Sequence, residues 1–396
     1  MSDESIQSVT KCQRPRRFAF RALCLSFGVL LGLAVAEVVV RAFDVGPRLN
    51  IVYRRSFRLS DNPVLKYELM PGSKDGRSTI SRAGLRDREF SIKKPDGVYR
   101  IVVIGDSVTY GLWCRRRHTY PKQLEAMLNA AGSNGLRFEV LNLGVSGYNT
   151  TQAVEALRVR GLQYQPDLVV YGYVLNDPQS YSLEEEGLKA LTAQTRRDIS
   201  RRLARGVLRA LSHSRLFHLA YASLAEPAVR LEDALEDPTY KADKLGSRQD
   251  YIRALHETEV SWRRVTSGFA ELGRIAADAN GPAVLIAIFP LEEPDAGEDY
   301  PLRDVHDRVA LAASQYGLAT LDLTSPYTLA RALNGPELYG DFLHPTEAGH
   351  RVAALSLVKW LAESAGVPAG SIDLTRLQSV EGFDAIAAAL LEMKSE

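Results

Sequence analysis

Cysteine is scarce in this chain of 396 residues: Cys12, Cys24 and Cys114 are all it carries. Three cysteines cannot staple a small secreted scaffold, and no Cys-x-x-Cys pair offers a zinc knuckle. Net charge is lacking too, with Lys+Arg 49 against Asp+Glu 48 and a formal balance of +1. No global field draws the chain to nucleic acid, which is not an expected partner. No internal repeat is visible. With 45% hydrophobic and 24% charged residues the composition is ordinary globular material. That excludes a disordered tail, a collagen-like repeat and a polytopic membrane protein. A chain this long can bury a substantial core in one large domain, or in one domain with appendages.

The one long apolar run lies at the amino terminus. Residues 1–21 carry Lys11, Arg14, Arg16, Arg17 and Arg21 against Asp3 and Glu4. An apolar stretch from Phe18 to Ala36 follows, interrupted mainly by Arg21, Ser26 and two glycines. Nineteen helical residues at 1.5 Å each reach roughly 28 Å, about one hydrocarbon core. Arg21 lies near the end, where it can snorkel to the headgroups. Basic residues before the span favour a cytoplasmic amino terminus and an exported remainder. Ala34-Val35-Ala36 resembles a signal-peptide cleavage site. Val38, Val39 and Val40 carry the apolar run past it, which favours an uncleaved anchor. The expected location is the inner membrane, single-pass, with the bulk of the chain on the periplasmic side. Only Cys114 would then lie outside, so no internal disulfide is expected there.

Residues 1–43 are thus read as tail and anchor, and 44–98 as an extended lead-in with a few short strands. Turn signals such as Met70-Pro71-Gly72 and Lys94-Pro95-Asp96-Gly97 punctuate that lead-in. From Tyr99 the pattern changes. Arg100–Ile104 is a nearly continuous apolar run ending at Gly105, the mark of a parallel strand buried on both faces. Similar runs recur at Phe138–Leu143, Leu168–Val174, Ala283–Phe289 and Ala319–Leu323. Helical periodicities separate them at Tyr120–Ala131, Thr151–Leu162, Tyr251–Ala277 and Pro301–Tyr316. A last helix is expected from about Thr346 to Ala365. The alternation predicts an α/β fold: a three-layer, doubly wound parallel sheet of about five strands over residues 99–366. Residues 178–250 break the alternation as a helical insertion, longer than a usual connection. Within it Ile199, Leu203, Val207 and Leu211 form an apolar stripe, with Arg201, Arg202, Arg205 and Arg209 on other faces. A surface helix, a lid over the site, or a face toward anionic lipid or polysaccharide all fit it. Residues 367–396 are a carboxyl-terminal extension.

Ligands of such sheets sit at the carboxyl ends of the strands. The first strand ends in Gly105-Asp106-Ser107, a sharp turn that can lift a serine hydroxyl ahead of the following helix. Alone the triplet is weak, since about one chain in ten of this length would show it by chance. After the second strand, Asn142–Asn149 contains Gly147, whose N–H can point into the crevice. The stretch lacks the first glycine of a dinucleotide fingerprint, so no nucleotide cofactor is expected. The third strand ends in Asn176-Asp177, where the asparagine amide can aim at the same point. Near the carboxyl end, Asp341 stands three residues before His344. In a turn before a helix, that spacing lets a carboxylate accept from one ring nitrogen while the other faces outward. A metal site of His344, Glu347 and His350 is the competing reading, with no further carboxylate–histidine cluster to complete it; Glu347 in the first helical turn is explained by the macrodipole. No cofactor or metal is expected. Together these residues make a nucleophile, hydrogen-bond donors and a base with its orienter.

In these residues the chain resembles the SGNH hydrolases, also called the GDSL esterase/lipase superfamily, over about residues 99–365. Gly105-Asp106-Ser107 matches the first block, Gly147 in Asn142–Gly147 the second, Asn176 before Asp177 the third, and Asp341 with His344 the last. The resemblance implies a flavodoxin-like sheet and Ser107 as nucleophile. It also implies an oxyanion hole of the Ser107 N–H, Gly147 and Asn176. Val108 replaces the leucine of the first block, and Val174 stands where the third block usually has glycine. The lead-in, with Asn62–Tyr67 and Gly84-Leu85-Arg86-Asp87, is similar to membrane-anchored bacterial members.

The function expected is a serine hydrolase acting outside the cytoplasm on an ester, an O-acyl group of a carbohydrate. Ser107 would attack, His344 would take the proton and Asp341 would hold the ring. An O-acetyltransferase would use the same triad and pass the acyl group to a sugar hydroxyl. A non-catalytic polysaccharide-binding relative would normally lack a triad member, and none is missing.

Overall fold

The structure is a computed structural model that describes residues 4–43, 56–75, 78–180, 214, 216, 247–292, 300–333, 337–364, 366–379 and 384–393. The chain forms two compact units, one of Met1–Ile51 with Arg197–Arg230, the other of Val52–Arg196 with Leu231–Glu396. The helix expected at 199–211, with its apolar stripe and arginines on other faces, lies outside the described residues.

In the first unit, α1 runs unbroken over Glu4–Ala42. Its most apolar stretch, Leu23–Ala42, has mean hydropathy 2.4 and falls about a turn later than the sequence reading placed it. Glu37 lies inside that stretch, where Arg41 Nε donates to it at 2.7 Å. The Ser214 hydroxyl and the Leu216 N–H donate to its other oxygen at 2.7 and 2.8 Å. By length and composition α1 fits a membrane span or a signal sequence.

The second unit opens with two short antiparallel hairpins. β1 (Phe57–Leu59) pairs with β2 (Tyr67–Leu69), and β3 (Lys74–Asp75) with β4 (Ser78–Thr79). The main sheet follows: β5 (Val98–Gly105), β6 (Arg137–Asn142), β7 (Leu168–Val174), β8 (Ala283–Phe289) and β9 (Ala319–Asp322). These five strands run parallel in the order β6-β5-β7-β8-β9. The chain leaves β5 to one side and β7 lies on the other, so the switch point opens at the ends of β5 and β7. All residues of β5 and β7 are buried, as continuous apolar runs demand. The exception in kind is Arg100, fully buried at the far end of β5, whose Nη2 meets Glu139 of the neighbouring strand at 2.6 Å.

The helices form two groups. α2 (Ser107–Tyr110) and α3 (Tyr120–Ala131) precede β6, and α4 (Thr150–Ala156) precedes β7. α5 (Arg248–Glu257) and α6 (Glu259–Ala277) lead into β8, and α7 (Arg303–Ser314) into β9. α8 (Thr324–Ala332), α9 (Glu347–Glu363) and α10 (Ala385–Glu392) complete the chain. α3, α8, α9 and α10 pack together in one layer; α4, α5, α6 and α7 pack in the other. The result is the doubly wound α/β fold expected from the alternation.

Three details depart from the sequence reading. The helix expected over Tyr251–Ala277 is two helices, because Thr258 takes an extended conformation (φ −70°, ψ 127°) that re-aims the chain. α4 ends at Ala156 and continues as a wider turn over Leu157–Gly161. There Gly161 lies so close to the sheet that a Cβ would sit 3.3 Å from Val102 Cγ1. α8 was not foreseen; it starts directly after β9, leaving no polar loop to signal it. Among the described residues beyond 366, Leu377, Ala387 and Leu390 are buried in the main core.

Candidate active site

Ser107 is the first residue of α2, at the end of β5. Gly105 makes that turn possible at φ 153°, where a Cβ would lie 2.3 Å from Thr109 Oγ1 and 2.8 Å from the Gly172 carbonyl. Asp106 caps α2, accepting the Val108 N–H at 2.8 Å. Gly111 ends it in the left-handed region. Held so, the Ser107 side chain stands at the switch point of the sheet.

His344 arrives from the opposite end of the chain. The loop before α9 is pinned by the Gly340 N–H to the His344 carbonyl at 2.9 Å and the Thr346 N–H to the Leu338 carbonyl at 2.9 Å. Thr346 then caps α9 through the Gly349 N–H. The His344 Nε2 lies 2.9 Å from Ser107 Oγ. Its Nδ1 faces both Asp341 oxygens, at 2.8 and 3.0 Å. The Asp341 carboxylate also accepts the N–H groups of Leu343 and His344, at 2.9 and 2.8 Å. A carboxylate can only accept, so Nδ1 carries the proton and Nε2 is left to take one from serine. Burial acts to raise the Asp341 pKa, but the bonds and charge of His344 outweigh it and hold the group below its ordinary value.

Asp106 is a second acceptor for Ser107, at 3.2 Å, against the 2.9 Å to His344. Burial raises its pKa, opposed by the Val108 N–H, the His344 charge, the Ser107 hydroxyl and the Asn176 amide. Asn176 lies two residues past the end of β7. Next to it Asp177 is buried and held well above the usual carboxylate range, first by burial and then by the charge of Asp106. The Tyr171 hydroxyl and the Val174 N–H donate to it at 2.8 and 3.1 Å. Among the described residues, Asn176 Oδ1 and Asp177 Oδ1 are buried without a hydrogen-bond partner.

Gly147 stands in the loop after β6 at φ 79°. That loop is tied to β5 by the Val145 N–H on the Gly105 carbonyl and to the β7 end by the Thr150 N–H on the Asp177 carbonyl, both at 3.1 Å. Ser107, His344 and Asp341 are thus joined directly, while Gly147 and Asn176 lie on loops stitched to the same strand ends. His344, Glu347 and His350 do not converge. The buried His350 ring accepts the Tyr120 N–H at 3.2 Å, and Glu347 faces His118 at 3.7 Å. Among the described residues no cluster of His, Cys, Asp and Glu is arranged to hold a metal ion.

The sequence pattern assigns Asp106 no role beyond its place in Gly105-Asp106-Ser107, although an aspartate just before a short helix is a capping signal. In the sequence Arg86 and Asp87 stand out only by the likeness of Gly84-Leu85-Arg86-Asp87 to membrane-anchored bacterial members. Arg86 donates to the carbonyls of Tyr110 and Cys114 at 2.7 Å and of Gly111 at 3.2 Å, behind α2. Asp87 accepts the Asn142 N–H at 3.0 Å, at the root of the Gly147 loop.

The GDSL-like Lipase/Acylhydrolase family matches residues 103–352, from the strand before Ser107 to the helix after His344. The chain belongs to this family. No curated protein matches the sequence. Similar solved structures include a two-domain esterase (CEX) active on acetylated mannans, co-crystallized with mannopentaose. It is 14% identical with TM-score 0.39; the match covers 67% of this chain and 49% of that one, so this family member spans about half its length. Another is LAE5, an α/β hydrolase from the metagenome of Lake Arreo, Spain, at 16% identity, TM-score 0.38 and coverage of 66% and 93%. A third is Axe2, an acetylxylan esterase from Geobacillus stearothermophilus, at 15% identity, TM-score 0.38 and coverage of 66% and 93%.

Proposed function

We propose that this family member removes O-acyl groups from a carbohydrate, with Ser107 as nucleophile, His344 as general base and Asp341 as the group that orients and charges the imidazole. The observation that carries the reading is the unbroken line from Ser107 Oγ through both ring nitrogens of His344 to the Asp341 carboxylate. A serine hydroxyl is nearly un-ionised at neutral pH and needs such a base within reach. Ser107 loses its proton to Nε2 as its oxygen attacks the acyl carbon. The proton then passes to the leaving sugar oxygen, and water, activated by the same nitrogen, releases the acid. The Ser107 N–H, the Gly147 N–H and the Asn176 amide receive the negative charge on the carbonyl oxygen.

Two exposed aromatic side chains support a sugar substrate. Phe342, between Asp341 and His344, is 43% exposed, with the Arg248 guanidinium over its ring at 4.2 Å. Trp113 is 62% exposed and held at φ 69°, a strained conformation for a bulky residue. It adjoins Cys114, whose thiol reaches the Pro345 carbonyl at 3.7 Å. The catalytic domain proposed is 99–366, with 178–250 as its insertion. The helix within residues 1–43 tethers it as a single-pass anchor on the periplasmic side.

Ser107→Ala in the full chain is expected to fold and to lower turnover of an acetylated oligosaccharide by roughly 10⁴-fold or more. Near-normal turnover in the folded variant overturns the triad. Mass spectra of the products, with an acceptor sugar present, separate release of acetate to water from transfer to a hydroxyl, the outcome of an O-acetyltransferase.

A further inference from the structure

The hairpin of β1 and β2 lies outside the residues that match the family, yet it reaches the loop that carries Gly147. Tyr67, fully buried, donates its hydroxyl to the Ser146 carbonyl at 2.8 Å. The Tyr148 hydroxyl returns the contact, donating to the Tyr67 carbonyl at 2.6 Å. Their rings meet edge to face with centroids 5.2 Å apart. Gln152 adds a third tie, its amide donating to the Leu65 carbonyl at 2.9 Å. The residues on either side of Gly147 are therefore both held by one residue of the hairpin.

The geometry of the loop gives these bonds a consequence. The Tyr148 N–H closes a turn on the Val145 carbonyl at 3.1 Å, with Gly147 at φ 79° in the third position. That is the type II arrangement, which needs glycine there. The middle peptide of the turn joins the Ser146 carbonyl to the Gly147 N–H. In a planar trans peptide these two groups point in opposite directions. Glycine tolerates both signs of φ, so its own backbone does not forbid the flipped peptide of a type I turn. A hydroxyl bound to the Ser146 carbonyl selects one orientation, with the Gly147 N–H directed away from Tyr67.

We infer that Tyr67 is a positioning residue for the oxyanion hole: its hydroxyl holds the Ser146–Gly147 peptide so that the Gly147 N–H is presented to the developing oxyanion. This deepens the proposed reaction and rests on it. A donor fixed in advance needs no reorganisation when charge develops, so the effect belongs to the transition state rather than to substrate binding.

The test is Tyr67→Phe in the full chain in detergent, which keeps the ring packing and removes only the hydroxyl. With 4-nitrophenyl acetate, kcat is expected to fall about tenfold, a part of the roughly 10²–10³-fold that loss of a whole oxyanion donor costs. KM should stay within about twofold, and phenylboronic acid, whose tetrahedral adduct on serine carries an oxygen in the hole, should bind weaker in proportion to kcat/KM. A structural role alone would lower the melting temperature and leave those ratios untouched. Unchanged kcat in a folded variant, or a loss confined to KM, overturns the inference. If Tyr67→Phe does not fold, Tyr148→Phe decides by the same ratios, since it removes the second strut. An inactive Ser107→Ala beside a fully active Tyr67→Phe defeats the positioning alone; turnover surviving in Ser107→Ala defeats the proposed reaction and this inference with it.

Discussion

At the scale of single residues, the site is a set of hydrogen bonds whose donors are decided by what each partner can accept. Asp341 accepts from the His344 ring and from two backbone N–H groups, so its charge is spread over three donors. Its side chain is nevertheless 39% exposed, against 14% for His344. Water can therefore replace part of what Asp341 supplies, and cannot replace the ring. His344→Ala should disable turnover about as badly as Ser107→Ala, and the double variant should be little worse than either, because the residues act as one unit. Asp341→Ala should be roughly 10- to 100-fold milder. Steady-state kinetics of the four proteins checks this, and losses that add in the double variant would show that serine and histidine act separately.

At the scale of elements, α2 has only four residues, Ser107–Tyr110, too few to sustain a helix by its own bonds. It is held at one end by the Asp106 side chain and at the other by Arg86, which binds the carbonyls of Tyr110, Gly111 and Cys114. Arg86 is buried, and its guanidinium lies 4.6 Å from the Tyr110 ring centre. Arg86→Met should retain much of the packing while removing the guanidinium's bonds to three buried carbonyls. A loss of about 2–4 kcal/mol is expected in denaturant unfolding, with kcat reduced as the nucleophile's seat loosens. A loss below about 0.5 kcal/mol would mean that water reaches those carbonyls and restores their bonds. The lead-in hairpins belong to the same scaffold. Phe57, Leu65, Tyr67, Leu69 and Ile80 share one apolar cluster with Tyr110 of α2, Val145 and Tyr148 of the Gly147 loop, and Ala156 of α4.

At the scale of the whole molecule, pH acts through buried groups far from the triad as well as through it. His256 is buried between the Ile252 carbonyl, at 2.8 Å from Nδ1, and the Tyr173 hydroxyl, at 2.9 Å from Nε2. Burial lowers its pKa from 6.5 to about 4. Between those values the unfolded chain binds a proton that the native fold refuses, so stability falls as pH falls through that window. The largest slope for one such group is about 1.4 kcal/mol per pH unit. Asp106 and Asp177, raised by burial, act in the opposite sense as they take up protons in the fold. The expected signature is therefore a difference. His256→Gln should be less stable at pH 7 yet lose less between pH 6.5 and 4.5 than the native chain. Parallel stability curves from denaturation at several pH values would show that His256 takes its proton without unfolding.

The sequence by itself determined the main sheet, because strands buried on both faces must be apolar throughout. β5, β7 and β8 lie within a residue or two of the runs at Arg100–Ile104, Leu168–Val174 and Ala283–Phe289. It also offered Ser107, Asp341 and His344 as candidates, through turn chemistry that is local and weak when each signal is taken alone: a glycine before a capped helix, and an aspartate three residues before a histidine. Periodicity could not register the break at Thr258, since the apolar stripe continues across it while the axis changes. Nor could it see α8, whose start touches the end of β9. The bond between Tyr67 and Ser146 spans 79 residues, and that between His344 and Ser107 spans 237. No local pattern encodes such pairs. They exist because the parallel order β6-β5-β7 gathers distant loops at one edge of the sheet, where buried hydroxyls and carbonyls must find partners or leave their desolvation uncompensated.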